Sequence, residues 1–191
     1  MTLFTSNVVF FSDVDGVVHG RHFEKNGDKI ERSPDENLHF DMNASFWFVE
    51  DGYKFYWSEE MVDWIYSLIS SGAVDFKWLT KWKQHAVNKL NPIFGFPEYV
   101  TYLDWDAPKS DVNHDGKGVA LLELYKNLTE DERTPFIWVD DIATRNYIPG
   151  SKYGNVFKEL KVPHLIIQTD YRYGITKENQ RDINEFIQTY S

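Results

Sequence analysis

Val8-Val9-Phe10-Phe11-Ser12-Asp13-Val14-Asp15-Gly16-Val17-Val18 decides how this chain is read. Four consecutive β-branched and aromatic residues suit a strand buried on both faces. The strand stops at a polar loop, where Gly16 permits a tight turn and a close approach of the backbone to a ligand. Asp13 and Asp15 therefore stand at the carboxyl end of a first strand, the edge at which open parallel sheets bind ligands. Taken alone, the two acids also fit a plain turn that caps a helix.

Downstream, apolar segments alternate between strand-like and helix-like patterns. Residues 19–44 are polar, carry Gly20, Gly27 and Pro34, and read as a long loop. Phe46–Glu50 and Tyr53–Trp57 flank Asp51-Gly52, which predicts a β-hairpin with a two-residue turn. Ser58 is a candidate cap for a helix whose apolar face is Val62, Ile65, Leu68 and Ile69, ended by Gly72. Phe76–Leu79 predicts a second strand ending at Thr80. A helix over 83–90 follows, closed off by Pro92. Tyr99–Leu103 is a third strand candidate and Val119–Leu128 a leucine-rich helix. Phe136–Val139 predicts a fourth strand, ending at Asp140-Asp141, and Leu165–Ile167 a fifth. Thr176 caps a last helix with Ile183, Phe186 and Ile187 inward. Alternation of this kind indicates an α/β domain with a central parallel sheet covered on both sides. We expect one domain over 1–191, with 19–57 a loop and hairpin flap inserted after the first strand.

Several strand ends carry residues with chemical potential: Asp13 and Asp15, Thr80, and Asp140 with Asp141. Four carboxylates in one crevice repel one another, and burying them unpaired is costly. A divalent cation relieves this, and Mg²⁺ takes oxygen ligands, keeps waters and completes its shell with a phosphate.

These segments, in this order, resemble the four motifs of the haloacid dehalogenase (HAD) superfamily. Val8–Val18 is similar to its first motif, an apolar strand followed by Asp-x-Asp. Trp78-Leu79-Thr80 resembles the second, a strand ending in Thr or Ser. Lys117, at the start of the leucine-rich helix, matches the lysine of the third, with Lys109 as an alternative. Trp138-Val139-Asp140-Asp141 resembles the fourth, an apolar strand ending in paired acids. The resemblance implies a three-layer Rossmann-like fold and a phosphatase-type member with a minimal cap. It further implies Asp13 as nucleophile, Asp15 as general acid and base, and Thr80 and Lys117 as phosphate-binding groups. Mg²⁺ is implied as cofactor, held by Asp13, the backbone carbonyl of Asp15, Asp140 and Asp141. Asp141 has a second reading as a helix cap. His19, close behind Asp15, is a candidate substrate contact.

Composition narrows the alternatives. The 191 residues carry a net charge of −10, which disfavours a general polyanion binder. Lys77, Lys81 and Lys83 near Thr80 form a local counterweight. The chain has no cysteine, so thiol catalysis, disulfides and Cys-ligated metals are excluded. Val8–Phe11 is too short for a signal-peptide core or a membrane span, and a cytoplasmic protein with no membrane partner is the expectation. Asp111, Asn113, Asp115 and Gly116 imitate the start of a calcium loop, but its twelfth position is Leu122 instead of an acid. The histidines show no paired metal spacing. The aromatic residues of 46–57 read first as hairpin packing and second as a platform for a substrate ring. Arg172 is a further candidate for the crevice. Three functions remain: hydrolysis of a small phosphorylated metabolite or nucleotide, removal of phosphate from a polynucleotide end or phosphoprotein, and a non-catalytic binding or regulatory module of the same fold.

Overall fold

A computed structural model of the chain describes residues 6–19, 38–48, 53–105 and 115–191. Its elements in chain order are β1 (Val9–Ser12), β2 (Ala44–Phe48), β3 (Tyr53–Trp57), α1 (Glu59–Ser70), β4 (Asp75–Trp78), α2 (Gln84–Phe94), β5 (Thr101–Tyr102), α3 (Asp115–Asn127), β6 (Phe136–Asp140), α4 (Val156–Glu159), β7 (His164–Gln168) and α5 (Lys177–Tyr190). Five strands form one sheet in the order β5-β4-β1-β6-β7. Every neighbouring pair in it is parallel.

The central strand explains the layers. Side chains alternate along a strand, so Phe10 and Phe11 point to opposite faces. Val8 and Phe10 join a core with residues of α1, α2 and α5, including Ile65, Leu90 and Ile183. Val9 and Phe11 join another with Leu121 and Tyr125 of α3 and Phe157 of α4. The continuous apolar run of β1 is thus the signature of a strand with helices on both sides.

Register fixes the functional edge. Ser12 pairs with Trp78 on one side and Val139 on the other. The ladder continues one step, with the Leu79 amide donating to the Ser12 carbonyl (2.8 Å) and the Asp13 amide to the Val139 carbonyl (3.0 Å). Asp13, Leu79-Thr80 and Asp140 consequently emerge at one level of the sheet.

Three boundaries differ from the sequence expectation. Helix α2 continues through Pro92 to Phe94 and ends at Gly95, which is left-handed (φ 68°). Buried Leu90, Asn91 and Phe94 hold this last turn, and the Asn91 side chain accepts from the Trp78 indole and donates to the Val100 carbonyl. Helix α3 starts at Asp115 instead of Val119, because Gly116 and Gly118 hide a first turn from any apolar periodicity. β5 is shortened to two residues, paired only with Lys77 and Trp78.

The hairpin expected over 46–57 is present as antiparallel β2 and β3, with Phe48 opposite Tyr53. Its Asp51-Gly52 turn lies outside the described residues. The hairpin is docked: Phe55 is fully buried and Phe48 nearly so, both in the core shared with α1 and α2. Among the described residues, no helix is long and apolar enough to cross a membrane.

Candidate active site

Asp13 is the first residue beyond β1 and Asp140 the last of β6. Lys117 lies in the first turn of α3, which runs over the face of the sheet beneath them. Its Nζ donates to Asp13 Oδ2 at 2.5 Å and to Asp140 Oδ2 at 2.6 Å. Lys117 and Asp140 are each 1% exposed and Asp13 8%. Burial works against the ammonium charge of Lys117, but the carboxylates of Asp13 and Asp140 outweigh it and raise its pKa above the ordinary lysine value. Burial pushes the Asp140 carboxyl up to about 6, against the pull of Lys117 and with the push of Asp13. Asp140 Oδ1 accepts from the amides of Ile142 (2.8 Å) and Ala143 (2.6 Å), which fixes its plane.

Asp141, half-buried, completes a cluster with Asp13 and Asp140 in which one oxygen of each lies within 4.8 Å of the others. Gly16 is required beside it. Its φ is +71°, and a Cβ there would meet the Asp141 carboxylate at 2.5 Å. Three carboxylates meet here, two of them paired with the Lys117 ammonium, and all the donors are hard oxygens. That donor set fits Mg²⁺ or a similar hard divalent cation.

Thr80 is buried two residues beyond β4, and its Oγ1 accepts from the Trp82 amide (3.3 Å). Asp15 is half-buried, and its Oδ2 accepts from the Trp82 indole Nε1 at 3.0 Å. Trp82 was not foreseen as a functional residue. Its ring packs against Phe48 and Phe55 of the hairpin, with centroids 6.1 and 5.9 Å apart. One side chain thus joins the flap, the strand-end threonine and the second acid. Its position two residues after Thr80 was the available signal. The link to Asp15, 67 residues away, was not readable.

His19 departs from its expected place. The ring is fully buried, stacked on Phe55 at 4.5 Å, with Nδ1 2.9 Å from the Tyr56 carbonyl oxygen and 3.1 Å from its amide nitrogen. It anchors the loop after β1 to the hairpin instead of facing a substrate. Lys109 lies outside the described residues, while Lys117 occupies the lysine position. Asp111 to His114 of the calcium-like stretch lie outside the described residues, and Asp115 to Leu122 are helical, with Lys117 in that helix. The lysine group near Thr80 is partly neutralised: Lys77 pairs with Asp75 (3.3 Å) and Lys83 with Asp104 (2.9 Å). Arg172 is turned onto Asp170, whose carboxyl it holds below the ordinary range by hydrogen bonding.

A parallel five-stranded sheet with Asp13, Thr80 and Asp140 at one edge, and with Lys117 of α3 bonded to the two acids, is the arrangement of an HAD-superfamily protein of the hydrolase and phosphatase type. Within that superfamily the chain belongs to the family described as the HAD domain in Swiss Army Knife RNA repair proteins, whose model matches residues 9–180. No curated protein and no solved structure matches the chain.

Proposed function

We propose that the protein removes a terminal phosphate from RNA or a nucleotide as a divalent-cation-dependent phosphomonoesterase working through Asp13. The observation that carries this reading is the convergence of Asp13, Asp140 and Asp141 around one point, with Lys117 bonded to the first two. An Asp13 carboxylate oxygen attacks phosphorus and the ester P–O bond breaks, leaving an aspartyl-phosphate. Asp15 gives its proton to the departing oxygen. The same carboxylate then takes a proton from water, the water oxygen attacks phosphorus, and the Asp13 carboxylate is regenerated with inorganic phosphate released. Lys117 and Thr80 offset charge on the phosphoryl oxygens. Asp13, Asp140, Asp141 and the Asp15 carbonyl would hold Mg²⁺, which supplies further electrostatic relief at the same group.

The family description favours RNA ends as substrate over the small metabolite that composition alone put first. The net charge of −10 favours the metabolite. A panel of 3′- and 5′-phosphorylated oligoribonucleotides, nucleoside monophosphates and sugar phosphates separates the two. We expect the phosphorylated RNA ends to give the highest kcat/KM, and EDTA to abolish turnover. Asp13→Asn should lower kcat on the order of 10³-fold or more. Undiminished turnover in Asp13→Asn would refute the nucleophile.

A further inference from the structure

The two sides of the acidic cluster offer a leaving group very different surroundings. On the β4 side of Asp15 stands the Trp82 indole, backed by Phe48 and Phe55. On the β6–β7 side a cleft of about 530 Å³ opens, lined by Asp141, Ile142, Gln168, Thr169, Asp170 and Tyr171. That volume lies within the range of small-ligand sites. Because Asp141 is both a wall of the cleft and a member of the cation cluster, a group seated in the cleft is next to a phosphate held at Asp13.

Tyr171 stands at the rim of this cleft with 53% of its surface exposed. It is not on a loose loop. Residues 170–174 form a turn in which the amides of Tyr173 and Gly174 donate to the Asp170 carbonyl (3.0 and 2.9 Å). The Arg172 amide and guanidinium both close onto the Asp170 carboxylate. The turn is clamped to the loop after β1. The Ile175 amide donates to the Val17 carbonyl (3.0 Å), and Thr169 Oγ1 donates to the Gly16 carbonyl (2.6 Å). Gly174 has φ +66°, and any Cβ there would overlap the Val17 carbonyl. The backbone that carries Tyr171 is therefore held in fixed relation to the loop that carries Asp13 and Asp15.

We propose that this cleft is the subsite for the nucleoside that bears the scissile phosphate, and that its base stacks on Tyr171. The proposal rests on the phosphomonoesterase reading above and adds the substrate's recognition element to it. Stacking on an exposed aromatic ring is tolerant of base identity, as an enzyme acting on RNA ends requires. The residues lining the cleft include no lysine or arginine, and Arg172 beside it is already engaged by Asp170, so the cleft offers a second phosphate no cation. The neutral ribose and base therefore occupy it, and the rest of a chain leads away from the cluster.

The test compares adenosine 3′- and 5′-monophosphate with ribose 5-phosphate in wild type, Tyr171→Ala, Tyr171→Phe and, as a control on α1, Tyr66→Ala. The ratio of kcat/KM for nucleotide over ribose phosphate should fall about tenfold in Tyr171→Ala, mostly through KM, a stacking-sized effect. Tyr171→Phe should restore the ratio and Tyr66→Ala should leave it unchanged. A second arm needs no turnover: calorimetric binding of the same compounds to Asp13→Asn with Mg²⁺, with and without Tyr171→Ala. If wild type hydrolyses none of them, the phosphatase reading fails while nucleotide-selective binding lost in Tyr171→Ala still upholds the cleft. An unchanged ratio, or equal losses on nucleotide and ribose phosphate, overturns it.

Discussion

The two flanks of the candidate site, one toward β4 and one toward β6, hold their carboxylates by opposite means. On the β4 side, Asp15 accepts from the neutral indole N–H of Trp82, and that indole packs against the aromatic rings of the hairpin. On the β6 side, Asp13 at the end of β1 and Asp140 at the end of β6 are held by the buried ammonium of Lys117, with a third carboxylate beside them. The first arrangement depends on shape, since ring packing is indifferent to charge and salt. The second depends on charge balance, since each ion in a dry site is costly unless compensated. The same edge therefore has one flank sensitive to packing mutations and one sensitive to cations and protons.

The largest effect expected from breaking this contrast is on the charged flank. Lys117→Met leaves Asp13 and Asp140 buried without their counterion, and removing one partner of such a cluster costs about 3–5 kcal/mol. Urea unfolding should show that loss, together with turnover reduced to background. Added Mg²⁺ should recover part of the stability and none of the turnover, because the cation compensates charge but does not replace the lysine at the phosphate.

Next comes the cation itself. A divalent ion at 100 times its Kd stabilises the folded state by about 2.7 kcal/mol. Thermal unfolding should show a rise in Tm that Asp140→Asn largely removes. The rise should depend on pH in a stated direction. The Asp140 carboxyl, raised to about 6, holds its proton more tightly folded than unfolded. Without cation its contribution to stability is present at low pH and fades as pH rises toward 6. With cation the sign reverses, because only the ionised carboxylate binds metal. The Mg²⁺-induced rise should be full above pH 7 and shrink below pH 6. A rise independent of pH from 5 to 7.5 would contradict Asp140 as a ligand.

The smallest effect belongs to the aromatic flank. Trp82→Phe keeps ring contacts with Phe48 and Phe55 and deletes the N–H that reaches Asp15. Stability should change by less than about 1 kcal/mol, since a neutral donor is lost at a half-buried carboxylate. Turnover of an alkyl phosphate should fall about tenfold, a charge-assisted hydrogen bond's worth. An aryl phosphate, whose leaving oxygen needs little protonation, should fall less. Equal losses on both substrates would mean that Trp82 does not act through the acid.

What was legible in the sequence follows the same division. The charged flank was readable because each of its residues sits at a strand end or helix start. Those positions are marked by short apolar runs at Phe10-Phe11 and Trp138-Val139. Lys117 stands beside Asp13 and Asp140 even though α3 begins earlier than its leucines indicate, since two glycines in the first turn carry no periodic signal. The aromatic flank was readable as a hairpin but not as a partner of the catalytic loop. A single chain gives spacing along itself, and the contacts of Trp82 with Asp15 and of His19 with Phe55 join segments 67 and 36 residues apart. Closeness to Asp15 along the chain thus made His19 a candidate substrate contact, whereas the fold buries its ring against Phe55 of the hairpin. Pro92 misled for a related reason: its local preference for ending a helix is outweighed by the buried anchors Asn91 and Phe94.

The anchoring of His19 sets how the enzyme exchanges its substrate. Lifting β2 and β3 away would bring Phe48, Phe55 and the His19 ring into water together. Each large apolar side chain so exposed costs about 1.5–3 kcal/mol. On that ground the hairpin is expected to behave as a fixed wall and not as a door, and limited proteolysis of the protein with and without a bound phosphate should leave β2 and β3 equally protected.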